Sequence, residues 1–191
     1  MAEMARSTFI LGGQRSGKSR RAEMLARQWL ETAPDRRAVM IATGQAWDAE
    51  MRERIARHQS DRAQRVPGMV TVEEPLALAE ALRKHSDRNT LIVVDCLTLW
   101  LTNLMMPADP AQAQDEAAVV AAGEALCDAI AAAPAPVVLV GNEIGLGVIP
   151  MGREVRAFVD ALGRLNQRVA ASCRRVTLMA AGLPLTLKDE T

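Results

Sequence analysis

The sequence predicts a three-layer α/β fold built on a mostly parallel central sheet. Two observations carry that expectation. Short runs that are apolar throughout recur along the chain and alternate with stretches of helical periodicity, the pattern of parallel strands covered by helices on both faces. The chain has 191 residues, 49% of them hydrophobic and 24% charged, which is enough to bury one core without disulfides or metal and excludes a wholly disordered polypeptide.

The elements follow in order. Thr8–Leu11 is an apolar run ending in Gly12-Gly13, and a helix is expected from Lys18 to about Leu30, stopped by Pro34. Ala38–Ala42 reads as a buried strand closing on Thr43-Gly44. Asp48–Gln59 reads as a helix with Met51 and Ile55 on one face, and Asp61–Gly68, polar with a Pro-Gly pair, as a loop. Met69–Val72 is a short strand. Pro75 then opens a helix at its favoured first position, with Leu78 and Leu82 one turn apart. Thr90–Val94 is the clearest buried strand, followed by a short helix over Thr98–Met106. Ala111–Ala133 reads as one alanine-rich helix, Val137–Val140 as a strand, and Gly141–Gly152 as a loop. A helix over Arg153–Arg174 places Phe158, Leu162, Leu165 and Val169 on one stripe. Val176–Ala180 is a strand, and Leu185–Leu187 a short edge strand. Right-handed crossovers fold such a series into one domain, residues 1–191.

Composition narrows the function. Lys+Arg and Asp+Glu are each 23, so the net charge is zero, unlike a general nucleic-acid or membrane-surface binder. Aromatics make up 3% with no tyrosine, too few for a stacking platform. No apolar run approaches the ~20 residues that span a bilayer, and the N-terminal apolar stretch is too short for a secretory signal. Cys96, Cys127 and Cys173 are odd in number and widely spaced, so they read as small buried hydrophobes of a reducing compartment. The expectation is a cytoplasmic protein.

The chemistry is concentrated in Gly12-Gly13-Gln14-Arg15-Ser16-Gly17-Lys18-Ser19, a complete GxxxxGK[ST] between an apolar strand and a helix. In that context the motif is a P-loop. Its glycines let the backbone curl so that N–H groups converge on phosphate oxygens, and the helix N-terminus adds its positive end. Lys18 can reach the β- and γ-phosphates and Ser19 can ligate Mg²⁺. Asp95, closing the LIVVD strand, is the acid expected beside the metal. A guanine-reading N-K-x-D is absent after the 137–140 strand, where Gly141-Asn142-Glu143-Ile144 stands instead. Of the histidines, His58 falls on the Met51/Ile55 stripe, where a lone histidine is more often structural, and His85 sits in a charged helix end.

From Gly12 to Glu23 the chain (GGQRSGKSRRAE) resembles the bifunctional adenosylcobinamide kinase/adenosylcobinamide-phosphate guanylyltransferase family of cobalamin biosynthesis. The likeness continues in order through Ile41–Gln59, Thr71–Leu78 (TVEEPLAL), Val93–Leu104 (VVDCLTLWLTNL), Val140–Pro150 (VGNEIGLGVIP) and Gly163–Ala170 (GRLNQRVA). The resemblance implies a P-loop enzyme that phosphorylates adenosylcobinamide with ATP or GTP. It then transfers GMP from GTP through a guanylylated histidine, matched here by His58. It implies nucleotide binding by the P-loop, by Ala42-Thr43-Gly44, by Gln59-Ser60-Asp61-Arg62, and by Glu73 and Asp95, with Mg²⁺ held by Ser19 and Asp95. It also implies a homotrimer. The sequence departs from the family pattern at Arg57, where a second histidine is common, and at Ser60-Asp61-Arg62, where Asp-Gly-Arg is common. Two other readings fit the P-loop alone: a small-metabolite kinase without guanylyl transfer, and a nucleotide-dependent switch protein.

Overall fold

A computed structural model describes residues 4–46, 49–148 and 150–190, and at positions 50, 51, 54 and 58 the backbone alone. Seven strands form one sheet: β1 (Ser7–Gly12), β2 (Arg37–Ala42), β3 (Val70–Glu73), β4 (Thr90–Asp95), β5 (Val137–Val140), β6 (Arg175–Ala180) and β7 (Leu183–Asp189). Their spatial order is β3-β2-β4-β5-β1-β6-β7. All neighbours are parallel except β6 and β7, which form an antiparallel hairpin at one edge. The helices are α1 (Lys18–Leu30), α2 (Ala49–Arg65), α3 (Leu78–His85), α4 (Leu97–Met105), α5 (Glu116–Ala132) and α6 (Arg153–Ser172).

The apolar strands feed two cores. Ile10, Met40, Leu91, Val93, Val138 and Val140 face α1 and the end of α2 through Ala22, Ala26, Trp29 and Val66. Their chain neighbours Phe9, Ile41, Ile92, Val94, Val137 and Leu139 face α3 to α6. Alternate residues of one strand therefore enter opposite cores, which is why the strands read as unbroken apolar runs rather than as alternating ones. Connections leaving β1 and β2 cross the first face; those leaving β3, β4 and β5 run in the reverse direction across the second, as a single crossover hand requires. At β5 and β1, adjacent strands thus send their loops to opposite faces and leave a crevice at their carboxyl ends.

Several boundaries differ from expectation. Helix α2 runs on to Arg65 rather than giving way to a loop at Asp61. Arg65 donates to both Asp61, one turn back, and the buried Glu23 of α1, so tertiary pairing extends a polar helix. Pro75 does not open α3: the helix begins at Leu78, and the Glu74 carboxylate accepts from the Leu76 and Ala77 N–H groups ahead of it. The expected helix over 111–133 is divided. A 3₁₀ turn covers Pro110–Gln112, and α5 starts at Glu116, with the Asp115 carboxylate accepting from Ala118 N–H. Alanine-rich composition concealed that N-cap. β7 spans seven residues instead of three. The cysteines are free, and burial foremost pushes the Cys173 thiol up to about 12, so it stays protonated as an inert packing group.

Candidate active site

The carboxyl ends of β1, β2, β3, β4 and β5 gather the chemistry-bearing residues along one edge of the sheet. The P-loop leaves β1 at one end of that row. Gly12 (φ 152°), Arg15 (φ 55°) and Gly17 (φ 98°) have positive φ, which turns the backbone back over itself. A Cβ on Gly12 would collide with the Met179 carbonyl and lie 2.6 Å from Ser16 Oγ, so only glycine fits between β1 and β6. Gly17 caps α1 without a side-chain hydrogen bond. The first-turn N–H groups of that helix are therefore left to an external acceptor. Lys18 is 7% exposed and its ammonium donates to the Gly13 carbonyl, closing the loop from below. Ser16 Oγ is buried without a hydrogen-bond partner inside this cradle, which fits a loop that completes its bonding with phosphate.

The loop is also braced from behind. Gly182 N–H donates to the Ser16 carbonyl at 3.1 Å. This residue and Ala181, both at positive φ, make the tight β6–β7 turn. Sequence reading left this hairpin unrecognised as a support for the P-loop. Its signal was the Ala-Gly pair between two apolar runs.

Thr43 lies at the end of β2, fully buried. Its hydroxyl donates to the Cys96 carbonyl at 2.8 Å and accepts from Cys96 N–H at 2.9 Å, while its own N–H donates to the Asp95 carbonyl. The neighbouring ends of β2 and β4 are thereby locked together. Burial, and secondarily the Asp95 carboxylate, raise the Cys96 thiol above its usual value, so it stays neutral beside that acid.

Asn103 of α4 was missed as a candidate. It is 3% exposed, and its amide donates to the Thr43 carbonyl at 2.7 Å and the Pro75 carbonyl at 3.1 Å. Trp100 adds an indole N–H to the Leu76 carbonyl. Helix α4 thus holds the segments following β2 and β3, where Ala42-Thr43-Gly44 and Glu73 lie. Asn103→Leu keeps the approximate volume but leaves two carbonyls unmet. It is expected to lower the unfolding free energy by about 2 kcal/mol or more. The urea midpoint checks this, and a shift of only a few tenths of a kcal/mol would show the bridge to be dispensable.

Helix α2 is fixed at two places. At its end, Arg65 pairs with Glu23 at 2.8 Å, across to α1, and Arg62 is 6% exposed. Nearer its start, Ile55 and Leu99 flank Gly44, whose added Cβ would lie 3.4 Å from Leu99 and 3.9 Å from Ile55. The backbone of position 58 falls between these anchors, one turn from Arg62; the His58 side chain lies outside the described residues. Gln59, Ser60, Asp61 and Arg62 are all helical, so the missing family glycine leaves α2 unbroken rather than opening a turn. Arg52 and Arg57 are exposed on the solvated side. His85 ends α3, on the connection into the opposite end of the sheet.

Not every candidate sits at one point. Asp95 is two strand spacings from β1, roughly 10 Å, and Glu73 four spacings, roughly 19 Å. The P-loop and Asp95 therefore stand near one another, and Glu73 stands at the far side of the same row of strand ends. Among the described residues no cluster of three or more His, Cys, Asp or Glu could cage a metal. Ser19 and Asp95 are the oxygen donors placed to supply one or two ligands to a cation such as Mg²⁺, which keeps waters and phosphate oxygens for the rest.

The model of the family described as cobinamide kinase/cobinamide phosphate guanyltransferase matches residues 8–187. Among curated relatives, the bifunctional adenosylcobalamin biosynthesis protein CobP of Pseudomonas aeruginosa is 48% identical over 95% of this chain and 97% of its own. The corresponding CobU of Escherichia coli is 35% identical, covering 94% of this chain and 98% of its own. That of Salmonella typhimurium is 36% identical with the same coverage. The flagellar accessory protein FlaH of Methanocaldococcus jannaschii shares the fold, with a TM-score of 0.53 at 13% identity over 96% of this chain and 78% of its own. A P-loop at one end of this sheet edge, a histidine-bearing helix anchored beside it, and likeness over nearly the whole length agree: the chain belongs to the cobinamide kinase/cobinamide phosphate guanyltransferase family.

Proposed function

We propose that the protein is a bifunctional enzyme of adenosylcobalamin synthesis that works on one substrate arm in two steps. In the first, the γ-phosphoryl of ATP or GTP moves to the primary hydroxyl of the aminopropanol arm of adenosylcobinamide. In the second, His58 attacks the α-phosphorus of GTP, pyrophosphate leaves, and the GMP held on the histidine passes to the new phosphate, giving adenosyl-GDP-cobinamide. The observation that carries the reading is the placement of α2. A kinase needs only the P-loop; here the helix bearing His58 is tied to the P-loop helix through Arg65 and Glu23 and rests on Gly44.

In both steps the chain's work is positioning and charge stabilisation. The uncapped N–H groups of α1, the curled backbone of residues 12–17 and the Lys18 ammonium would hold the phosphates. Gln59–Arg62 and Glu73 would meet the rest of the nucleotide. Ser19 and Asp95 would hold Mg²⁺, which when bound offsets charge on the transferring phosphates. Neutral imidazole is a competent nucleophile near pH 7, and a covalent intermediate lets one site serve two acceptors in turn.

One outer edge of the sheet is β7, where Leu183 and Leu185, alternate residues of the strand, are 71% and 57% exposed. A pair of that kind at an open edge favours burial against another copy. It supports the homo-oligomer, a trimer, that the resemblance implies. No helix among the described residues is long and apolar enough to cross a membrane. The reading is of a cytoplasmic enzyme of one kinase/guanylyltransferase domain.

Incubation with α-labelled GTP and Mg²⁺, followed by denaturation, tests the reading. The expected product is a protein-bound label that is acid-labile and alkali-stable, as a phosphoramidate is. A γ-labelled nucleotide should leave no such label but should mark adenosylcobinamide. Absence of the α-adduct in an enzyme that still phosphorylates would reduce the protein to a small-metabolite kinase.

A further inference from the structure

The residues assigned so far leave one demand of the phosphoryl step unmet. When the alcohol oxygen bonds to the γ-phosphorus, the bond to the bridging oxygen breaks and its electron pair leaves with the nucleoside diphosphate. The hydroxyl proton must go elsewhere. Lys18 is a cation and carries no vacant site for it. Asp95 is committed to the metal side. Glu23 is paired with Arg65, Glu74 is spent on the Leu76 and Ala77 N–H groups, and Glu73 lies at the far strand.

Glu143 is placed differently. β5 is inserted between β1 and β4, so the residues after it emerge in the crevice between the P-loop and Asp95. Gly141 N–H donates to the Ile10 carbonyl and Glu143 N–H to the Gly12 carbonyl at 3.2 Å. The backbone of Glu143 is thus fastened to the first residue of the P-loop. Its carboxylate is held by neutral donors alone: Oε1 accepts from Gly145 N–H at 3.0 Å, and Oε2 accepts a long bond of 3.5 Å from the Asn166 amide of α6. Asn166 is 4% exposed and holds the same loop through the Asn142 carbonyl at 3.1 Å. Thr98 accepts from Asn142 N–H. No charged side chain neutralises Glu143 in these contacts.

The other side of Glu143 opens on space. With Leu11, Asn166, Gln167, Val176 and Lys188 it lines a groove of about 410 Å³ between α6 and the β6–β7 side of the sheet. That groove lies on the face opposite α1, and Glu143 is the carboxylate on its wall. Asn166, which also lines the groove, turns its amide N–H toward Glu143 and the Asn142 carbonyl, so it fixes the loop that carries the carboxylate.

We propose that Glu143 is a catalytic residue of the kinase step, taking the hydroxyl proton of an alcohol acceptor that reaches it through this groove. The inference rests on the kinase half of the reading above. The proton passes from oxygen to the Glu143 carboxylate as the new O–P bond forms, and then to solvent. Guanylylation of a histidine has no hydroxyl to deprotonate and makes no use of this group.

Glu143→Gln tests it, because the amide oxygen still accepts from Gly145 N–H while the group no longer takes a proton. The kcat for phosphorylation of adenosylcobinamide is expected to fall roughly 10²- to 10⁴-fold. The KM for nucleotide should stay within about threefold, and the α-labelled GMP adduct within about twofold. Glu143→Asp, which keeps the carboxylate on a shorter stem, should recover part of the lost kcat. Kinase turnover of Glu143→Gln within about threefold of wild type overturns the proposal. So does a parallel loss of kinase activity, GMP adduct and thermal stability in both variants, which would make the residue structural. Wild-type enzyme that forms the GMP adduct but phosphorylates nothing removes the kinase reading itself, and this proposal with it.

Discussion

Lys18→Ala is expected to weaken both activities together, by roughly 10- to 150-fold in kcat/KM. The estimate is the roughly 1.5–3 kcal/mol carried by a charge-assisted hydrogen bond to phosphate, converted at 1.36 kcal/mol per decade. The effect is shared because both steps would use the same phosphate cradle: the uncapped N-terminus of α1, the curled 12–17 backbone and the buried Lys18. The lysine is itself part of the loop, since its ammonium donates to the Gly13 carbonyl. Alanine would therefore also loosen the backbone. Lys18→Met, which keeps most of the stem without the charge, separates the two effects. If Met restores thermal stability while both rates stay low, the charge is responsible. Equal nucleotide affinity and rates in wild type, Ala and Met variants would refute the P-loop assignment.

What the sequence made legible was local. Val137–Val140 and the start of α1 at Lys18 came out as observed because a four-residue apolar run and a P-loop are self-contained signals. The P-loop between β1 and α1, and Asp95 at the end of β4, were read from the same kind of local signal, whereas Thr43 was singled out only by the family resemblance. The errors occurred where distant partners decided the outcome. Asp61–Arg65 looks like a loop until Glu23, far away in sequence, supplies the ion pair that extends the helix. Pro75 looks like a helix start until Glu74 and Asn103 are seen to hold that stretch outside α3. Glu143 stayed hidden for the same cause. Its loop is visible as Gly-Asn-Glu, but the insertion of β5 between β1 and β4 is a property of strand order, and strand order is not written in hydrophobic periodicity. His58 is the converse. Helical spacing alone favours a structural histidine, and only the family resemblance singles it out.

The two activities should come apart at that residue. In-line phosphoryl transfer proceeds by positioning and charge stabilisation and needs no covalent intermediate. Guanylyl transfer needs a nucleophile that holds GMP after pyrophosphate has left and until the second acceptor arrives. His58→Ala is therefore expected to abolish the GMP adduct and transferase turnover while phosphorylation of adenosylcobinamide remains measurable. His58→Asn should behave alike, since an amide is polar but not comparably nucleophilic. The fold should tolerate either change, because α2 is held by Ile55 at Gly44 and by Arg65 at Glu23 rather than by position 58 alone. Mass spectrometry of the wild-type protein after GTP should place a GMP-sized increment on the peptide containing His58. The increment on another residue, or full transferase activity in the Ala variant, would defeat the assigned nucleophile while leaving the P-loop intact. Loss of both activities in His58→Ala with unchanged stability would instead show that α2 contributes to the kinase step as well. The two reactions would then share more of the site than the phosphate cradle.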